Sequence, residues 1–389
     1  MANQDRDWDS GSGAIERSTE GIDQIASQLL DTIAPQANQL DGDPDLLAAA
    51  MDWLGDRGWM AMKVPPVWGG RGASELEYGQ FREALARCSG ALAFLQAQHQ
   101  SAAALIAKGE NEDLKQTYLP AIVQGKTRLG IAFSHLRRPQ PPIAARAVAG
   151  GWELTGTAPW VTGLGHFTEA VLAAPIAGAD RVVFCLVPIV ATEHPTGRIQ
   201  PGPLMVLGAM NSTQTAAVTF DRWFVPTDYT IGTKPGDWIQ QLDRQNVLQG
   251  SYFALGCTQA VLDRLVTLFH NKRSVAIAAA HDHFSHRLQQ LRHAIYQPTD
   301  SATTPESYEH KLHLRSQAIG LMSRAVQVGL IAEGGSANLL GNVAQRLQRE
   351  STVFATSGQT PEILAATLSD ISDLPLDLTS IQARNSTVN

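Results

Sequence analysis

Residues 150–165 read GGWELTGTAPWVTGLG. Gly150 and Gly151 form a tight-turn pair between two extended runs, IAARAV at 143–148 and WELTG at 152–156, which predicts a β-hairpin. Working outward, short apolar runs of β type recur at 170–174 and 182–187. The stretch TAAVTFDRWFV at 215–225 alternates and ends at Pro226, which discourages continuation. The middle third is therefore predicted to be β.

Helical periodicity brackets it on both sides. Ile22, Ile25, Leu29 and Ile33 recur at three- and four-residue steps, and a second helical run covers 45–55. A Pro/Gly-rich loop, VPPVWGGRGAS at 64–74, separates them from helical patterns between Glu75 and Gly125. After the β third, one long helix is predicted from Leu242 to Phe269. Others follow at about 278–297, 305–333, 341–356 and 361–369. The fold class is α+β, with an N-terminal helical domain, a middle β-barrel or sandwich, and a C-terminal four-helix bundle. The expected boundaries are a disordered leader at 1–20, then 21–128, 129–232 and 233–375, with a tail at 376–389.

Composition narrows the function class. The 389 residues are 44% hydrophobic and 17% charged, with 30 Lys+Arg against 37 Asp+Glu for a net charge of −7. That balance argues against a non-specific nucleic-acid binder, which needs a cationic face. The polar, acidic N-terminus has no signal-peptide pattern, and no apolar stretch reaches the ~18 residues of a membrane span, so a cytoplasmic protein is expected. Cys88, Cys185 and Cys257 lie far apart among apolar neighbours, which reads as buried thiols rather than a zinc or disulfide framework. His281, His283 and His286 cluster, but only the last two share a helix face; a solvated face is expected and no metal site is assigned.

Several motifs, in order, resemble the acyl-CoA dehydrogenase family of flavoproteins over about residues 21–370. Pro66 to Gly72 is similar to an early PxxxGGxG loop, and Trp160-Val161-Thr162 to the W-(I/V)-T tripeptide that follows a hairpin. LGAMNSTQTAAVTFDRWFVP at 207–226 is similar to LGxRxSxTxxVxFxxVxVP, with Asn211 near the place of the Arg. The resemblance implies FAD. Trp160 would wall the isoalloxazine and the Thr162 hydroxyl would approach its N5 edge, with Phe133 and Ser134 along the flavin edge. In LGIAFSHLRRPQPP, Arg137 and Arg138 replace the usual Gly-Ser near a phosphate. Gly334-Gly335 and Arg273 fall where family members contact FAD across a subunit boundary, and Arg346 and Arg349 resemble a late R-x-x-R.

That resemblance implies α,β-dehydrogenation of an acyl-CoA-like substrate by a homodimer or homotetramer, with an electron-transfer flavoprotein or flavin reductase as redox partner. The reaction needs a carboxylate to take the proton α to the carbonyl. The two family positions for that base fall on Gly358 and Asn246, so the catalytic residue is left unassigned. Glu333, Glu350 and Glu362 are near in sequence, Glu362 being placed as a helix N-terminal charge after Pro361. The missing base keeps two alternatives open: a flavin-dependent monooxygenase or oxidase of the same superfamily, and a flavin-fold protein without desaturase activity.

Overall fold

The computed structural model describes residues 20–297 and 304–372. The expected leader at 1–20 lies outside them except for Glu20, as does the tail at 376–389. Three regions follow one another along the chain. The first is helical: α1 (Ile22–Thr32), α2 (Ala37–Leu40), α3 (Pro44–Asp56), α4 (Glu75–Cys88), α5 (Gly90–Ala107) and α6 (Glu112–Val123). Local chemistry sets their starts. Asp43 accepts from the amides of Asp45 and Leu46 ahead of α3, Ser74 and Glu77 form a capping box on α4, and Ser89 and Asn111 cap α5 and α6.

The middle region holds nine strands in two sheets. They are β1 (Leu129–Ala132), β2 (Ile143–Val148), β3 (Gly151–Thr162), β4 (Glu169–Pro175), β5 (Arg181–Pro188), β6 (Thr192–His194), β7 (Gly197–Pro201), β8 (Thr215–Pro226) and β9 (Thr230–Pro235). One sheet runs β1-β4-β5-β9, with β1 parallel to β4. The other, β2-β3-β8-β7-β6, is antiparallel. The hairpin turn sits where the sequence put it: Val148 pairs with Gly151 and Gly150 has φ +78°. A Cβ on Gly151 would stand 2.0 Å from the Val225 carbonyl oxygen, so β3 and β8 approach closely only through a glycine. Strands β1, β6, β7 and β9 were not foreseen: the first three are short, and β9 carries Gly232 and Pro235, poor strand formers.

The last region comprises α7 (Trp238–Gln245), α8 (Ser251–Lys272), α9 (Val275–Tyr296), α10 (Pro305–Glu333), α11 (Val343–Thr356) and α12 (Pro361–Ser372). α8, α9, α10 and α11 pack as a bundle with α12 along α10, and α4 lies against α8, joining the two helical regions. The single helix expected from Leu242 to Phe269 is a correction. The chain breaks at Asn246 (φ −105°, ψ 21°) into a 3-10 turn, Val247–Gly250, before α8 begins. Its cause is Arg315 of α10, whose Nη1 donates to the Val247 carbonyl at 2.9 Å and so takes an acceptor a continuous helix would use. Gly250 leaves the room: a Cβ there would meet the guanidinium at 2.5 Å.

A buried ion network ties the three regions. Glu350 accepts from Arg346 at 2.8 Å and from the Gly90 amide at 3.1 Å, while Arg346 Nε donates to Asn38 at 2.8 Å. Beside it Arg349 pairs with Asp41, which also accepts from the Met210 amide in the middle region. Among the described residues no helix is long and apolar enough to cross a membrane, and no three His, Cys, Asp or Glu converge to hold a metal. The three cysteines are buried thiols, and burial pushes Cys88 and Cys185 up to about 12.

Candidate active site

A cleft of about 640 Å³ opens where the three regions meet. The helical region contributes Tyr78, Arg82 and Phe94, the sheet region Ile131, Phe133, Phe184 and Ile231, and the bundle Asn246, Val247, Phe253, Arg315, Phe354 and Gly358. Aromatic packing shapes one wall: Trp238 of α7 meets Phe133 and Phe184 edge-on, at centroid distances of 5.6 and 4.6 Å. Such a space suits an extended, largely apolar ligand with a few polar anchor points.

Phe133, Asn246 and Gly358, distant in sequence, meet on this cleft. No carboxylate stands at the last two. Instead Arg315 holds the carbonyls of the adjoining residues, Val247 and Ser357, each at 2.9 Å. Burial pushes its guanidinium down to about 10, and the field of Arg82 adds to the effect. The carboxylates lining the cleft are Glu75, Glu110 and Asp243. Glu75 is paired with Lys63 and Asp243 with Arg137.

Glu333, Glu350 and Glu362 do not line the cleft. Glu333 is held by Arg264 at 2.5 Å, Glu350 by Arg346, and Glu362 lies in the first turn of α12, behind the Thr360 hydroxyl that accepts from the Ile363 amide.

Trp160 and Thr162 lie at the end of β3, beside the cleft rather than in its lining. A Cβ on Gly130 would come within 3.5 Å of the Thr162 carbonyl, so this end of β3 runs next to β1, which leads directly into Phe133. Trp160 is 51% exposed, while the buried Thr162 hydroxyl shares a 3.1 Å hydrogen bond with Thr215. A bare indole face beside a hydroxyl pair fits a flat heteroaromatic ring. Ser134 is exposed and starts a 3-10 turn, Ser134–Arg137. Arg137, one of the two suggested phosphate ligands, is committed elsewhere: its guanidinium forms a bidentate pair with Asp243 at 2.7 and 2.8 Å, pinning α7 to the sheet region.

Arg273, Gly334 and Gly335 gather at the far end of the bundle. Lys272, just before Arg273, donates to the carbonyls of Ala332 and Glu333. Both glycines are exposed, and a Cβ on either would meet nothing within 4 Å. Arg82 and Arg315 were missed in the sequence; the one available signal for Arg315 was an arginine at a buried phase of an otherwise apolar helix.

The comparisons bear on this arrangement. A family model described as "Acyl-CoA dehydrogenase, N-terminal domain" matches residues 19–126. The mitochondrial short-chain specific acyl-CoA dehydrogenase of Bos taurus is 26% identical over 365 residues, 85% of this chain and 83% of that protein. Mitochondrial isovaleryl-CoA dehydrogenase of Pongo abelii is 25% identical over 290 residues, 70% and 67% respectively. The structure of butyryl-CoA dehydrogenase from Megasphaera elsdenii shares the fold, with a TM-score of 0.72 at 17% identity, covering 90% of this chain and 97% of that one. The matched N-terminal region, these relatives and the shared fold are all similar to acyl-CoA dehydrogenases.

Proposed function

We propose that the protein is an FAD-dependent oxidoreductase that dehydrogenates the Cα–Cβ bond of an acyl-CoA-like thioester. The observation that carries this is the cleft itself, an apolar space on which Phe133 and the two family base positions, Asn246 and Gly358, converge. FAD bound at the end of β3 would supply a two-electron acceptor for hydrogen leaving the β carbon. Around it Trp160 excludes water from one ring face, Thr162 presents its hydroxyl, and the aromatic wall of Phe133 and Trp238 keeps the acyl chain dry. Release of the α proton is left to a group other than the residues at 246 and 358, since neither Asn nor Gly can accept it.

The active form we propose is a homodimer or homotetramer in the cytoplasm, with an electron-transfer flavoprotein as the acceptor of the electrons. Exposed apolar side chains near Arg273 and Gly334 support a second copy there: Val275, Ile331, Leu339 and Leu340 are between 66% and 81% exposed. The test is spectroscopic. Purified protein should carry flavin absorbance, and an acyl-CoA added without oxygen should bleach it. Protein that is colourless and refuses added FAD would refute the proposal.

A further inference from the structure

Two guanidinium groups are buried on the cleft, and among the described residues no carboxylate is in ion-pair contact with either. Arg82 is 6% exposed and Arg315 3%. Among the described residues Lys63 is matched by Glu75 and Arg137 by Asp243, while neither Arg82 nor Arg315 enters an ion pair. Arg82 donates to the Gln249 side chain and lies over the Phe253 ring, 4.3 Å from its centroid. Arg315 donates to two backbone carbonyls. Each retains a buried Nε without a partner. An arginine taken out of water is costly unless an anion and its hydrogen bonds replace the lost solvation, and a second cation nearby raises the cost.

The carboxylates whose fields reach them, Glu75 for Arg82 and Asp243 for Arg315, are each paired with another cation, and the side chains that line the gap between the two arginines carry no charge. Residues 246, 249, 250 and 358 are Asn, Gln, Gly and Gly, all neutral. Phe94, Phe253, Phe354 and Ile363 complete an apolar enclosure. The anion must come with the ligand, and the planar forks of two arginines suit a carboxylate.

We propose that the cleft takes a thioester whose acyl part carries a carboxylate, seated against Arg82 and Arg315. The proposal rests on the acyl-thioester function above and names its substrate class.

Calorimetric titration of the purified holoprotein tests it. Adipyl-CoA should bind at least about tenfold more tightly than hexanoyl-CoA, the range of one charge-assisted contact. Arg82→Gln should remove that preference, and Arg82→Lys, which keeps the charge, should retain part of it. Free adipate provides a thioester-independent arm, and it should bind wild type more tightly than Arg82→Gln. If both thioesters bind alike and adipate does not bind, the carboxylate site is overturned. CoA alone losing as much affinity as adipyl-CoA in Arg82→Gln would also overturn it, because the arginine would then serve a phosphate. If adipate binds through Arg82 and neither thioester binds, the carboxylate site stands and the acyl-CoA function falls. Should Arg82→Gln fail to fold, the adipyl-CoA to hexanoyl-CoA ratio in wild type decides by itself.

Discussion

Asn246→Glu would place a carboxylate at one of the two positions that the sequence resemblance aligns with a catalytic base. Asn246 caps α7, is half-buried and lines the cleft, and among the described residues its side chain makes no hydrogen bond that the change would break. A positioned general base contributes about 10²- to 10⁴-fold. Here the new carboxylate would stand beside Arg315, which already holds the next residue's carbonyl at 2.9 Å. An adjacent guanidinium lowers a carboxyl by about 1–3 pH units. If about half of that loss of basicity reaches the rate, it costs roughly three- to thirtyfold. The net expectation is an increase of about 100-fold, with a range of roughly 3 to 3000. Single-turnover bleaching of the bound flavin by an acyl-CoA, followed anaerobically by stopped flow, reads this step free of the electron acceptor. Position 358 is the poorer choice, since φ there is +60° and a side chain would add backbone strain. A variant that binds the thioester as wild type does but bleaches no faster would refute the idea that position 246 overlooks the α carbon.

Three further outcomes are expected. Arg346→Met strands the fully buried Glu350 without its cation and should cost about 3–5 kcal/mol in urea unfolding at neutral pH. Burial already holds Glu350 above the usual carboxylate range, so the loss should shrink as pH falls and it protonates; a loss that grows on acidification would contradict the account. His99 is pushed down to about 4 by burial while its Nδ1 accepts from the Leu129 amide at 3.0 Å. Its folded pKa lies below the unfolded value, so its stabilisation is present above about pH 6.5 and is lost as pH falls toward 4, some ~3 kcal/mol in all. His99→Asn keeps the acceptor and should flatten that part of the stability profile; an unchanged profile would count against it. Trp160→Ala removes a half-exposed ring, so flavin affinity should fall about tenfold or more with the melting temperature of the apoprotein nearly unchanged. Full flavin retention would exclude Trp160 from the cofactor site.

Local signals made the architecture legible. The Gly150-Gly151 turn, the alternation of 215–225 and the three- and four-residue steps of Ile22, Ile25, Leu29 and Ile33 act within a few residues, and the elements they specify appear where they are read. The break at Asn246–Gly250 did not, because the apolar stripe of 242–269 is continuous in phase and the force that interrupts it comes from α10. β6, β7 and β9 escaped for a related reason: their sequences are weak strand formers, and pairing with β7, β8 and β5 rather than propensity fixes them. At the cleft, individual motifs pointed to Phe133, Asn246 and Gly358, but the two buried arginines are contributed by helices from opposite regions, and nothing local marks them as neighbours.

Arg315 links that failure of local reading to the chemistry. One guanidinium interrupts the helix after α7, holds the segment after α11, and stands between Asn246 and Gly358. Carbonyl dipoles satisfy two of its donors but carry no net charge, so the fold keeps a buried cation that is solvated by protein and only partly offset by the field of Asp243. A ligand anion that binds only the folded cleft would relieve this, and binding of that kind stabilises the fold by about 2.7 kcal/mol at a hundredfold excess over Kd. A neutral acyl group filling the same space gains contact with the aromatic wall but leaves Arg82 and Arg315 as they were, now with less water around them. Filling the cleft is therefore favourable for an anionic acyl chain and partly self-defeating for a neutral one. That asymmetry follows from where the charges sit, whatever the identity of the proton acceptor.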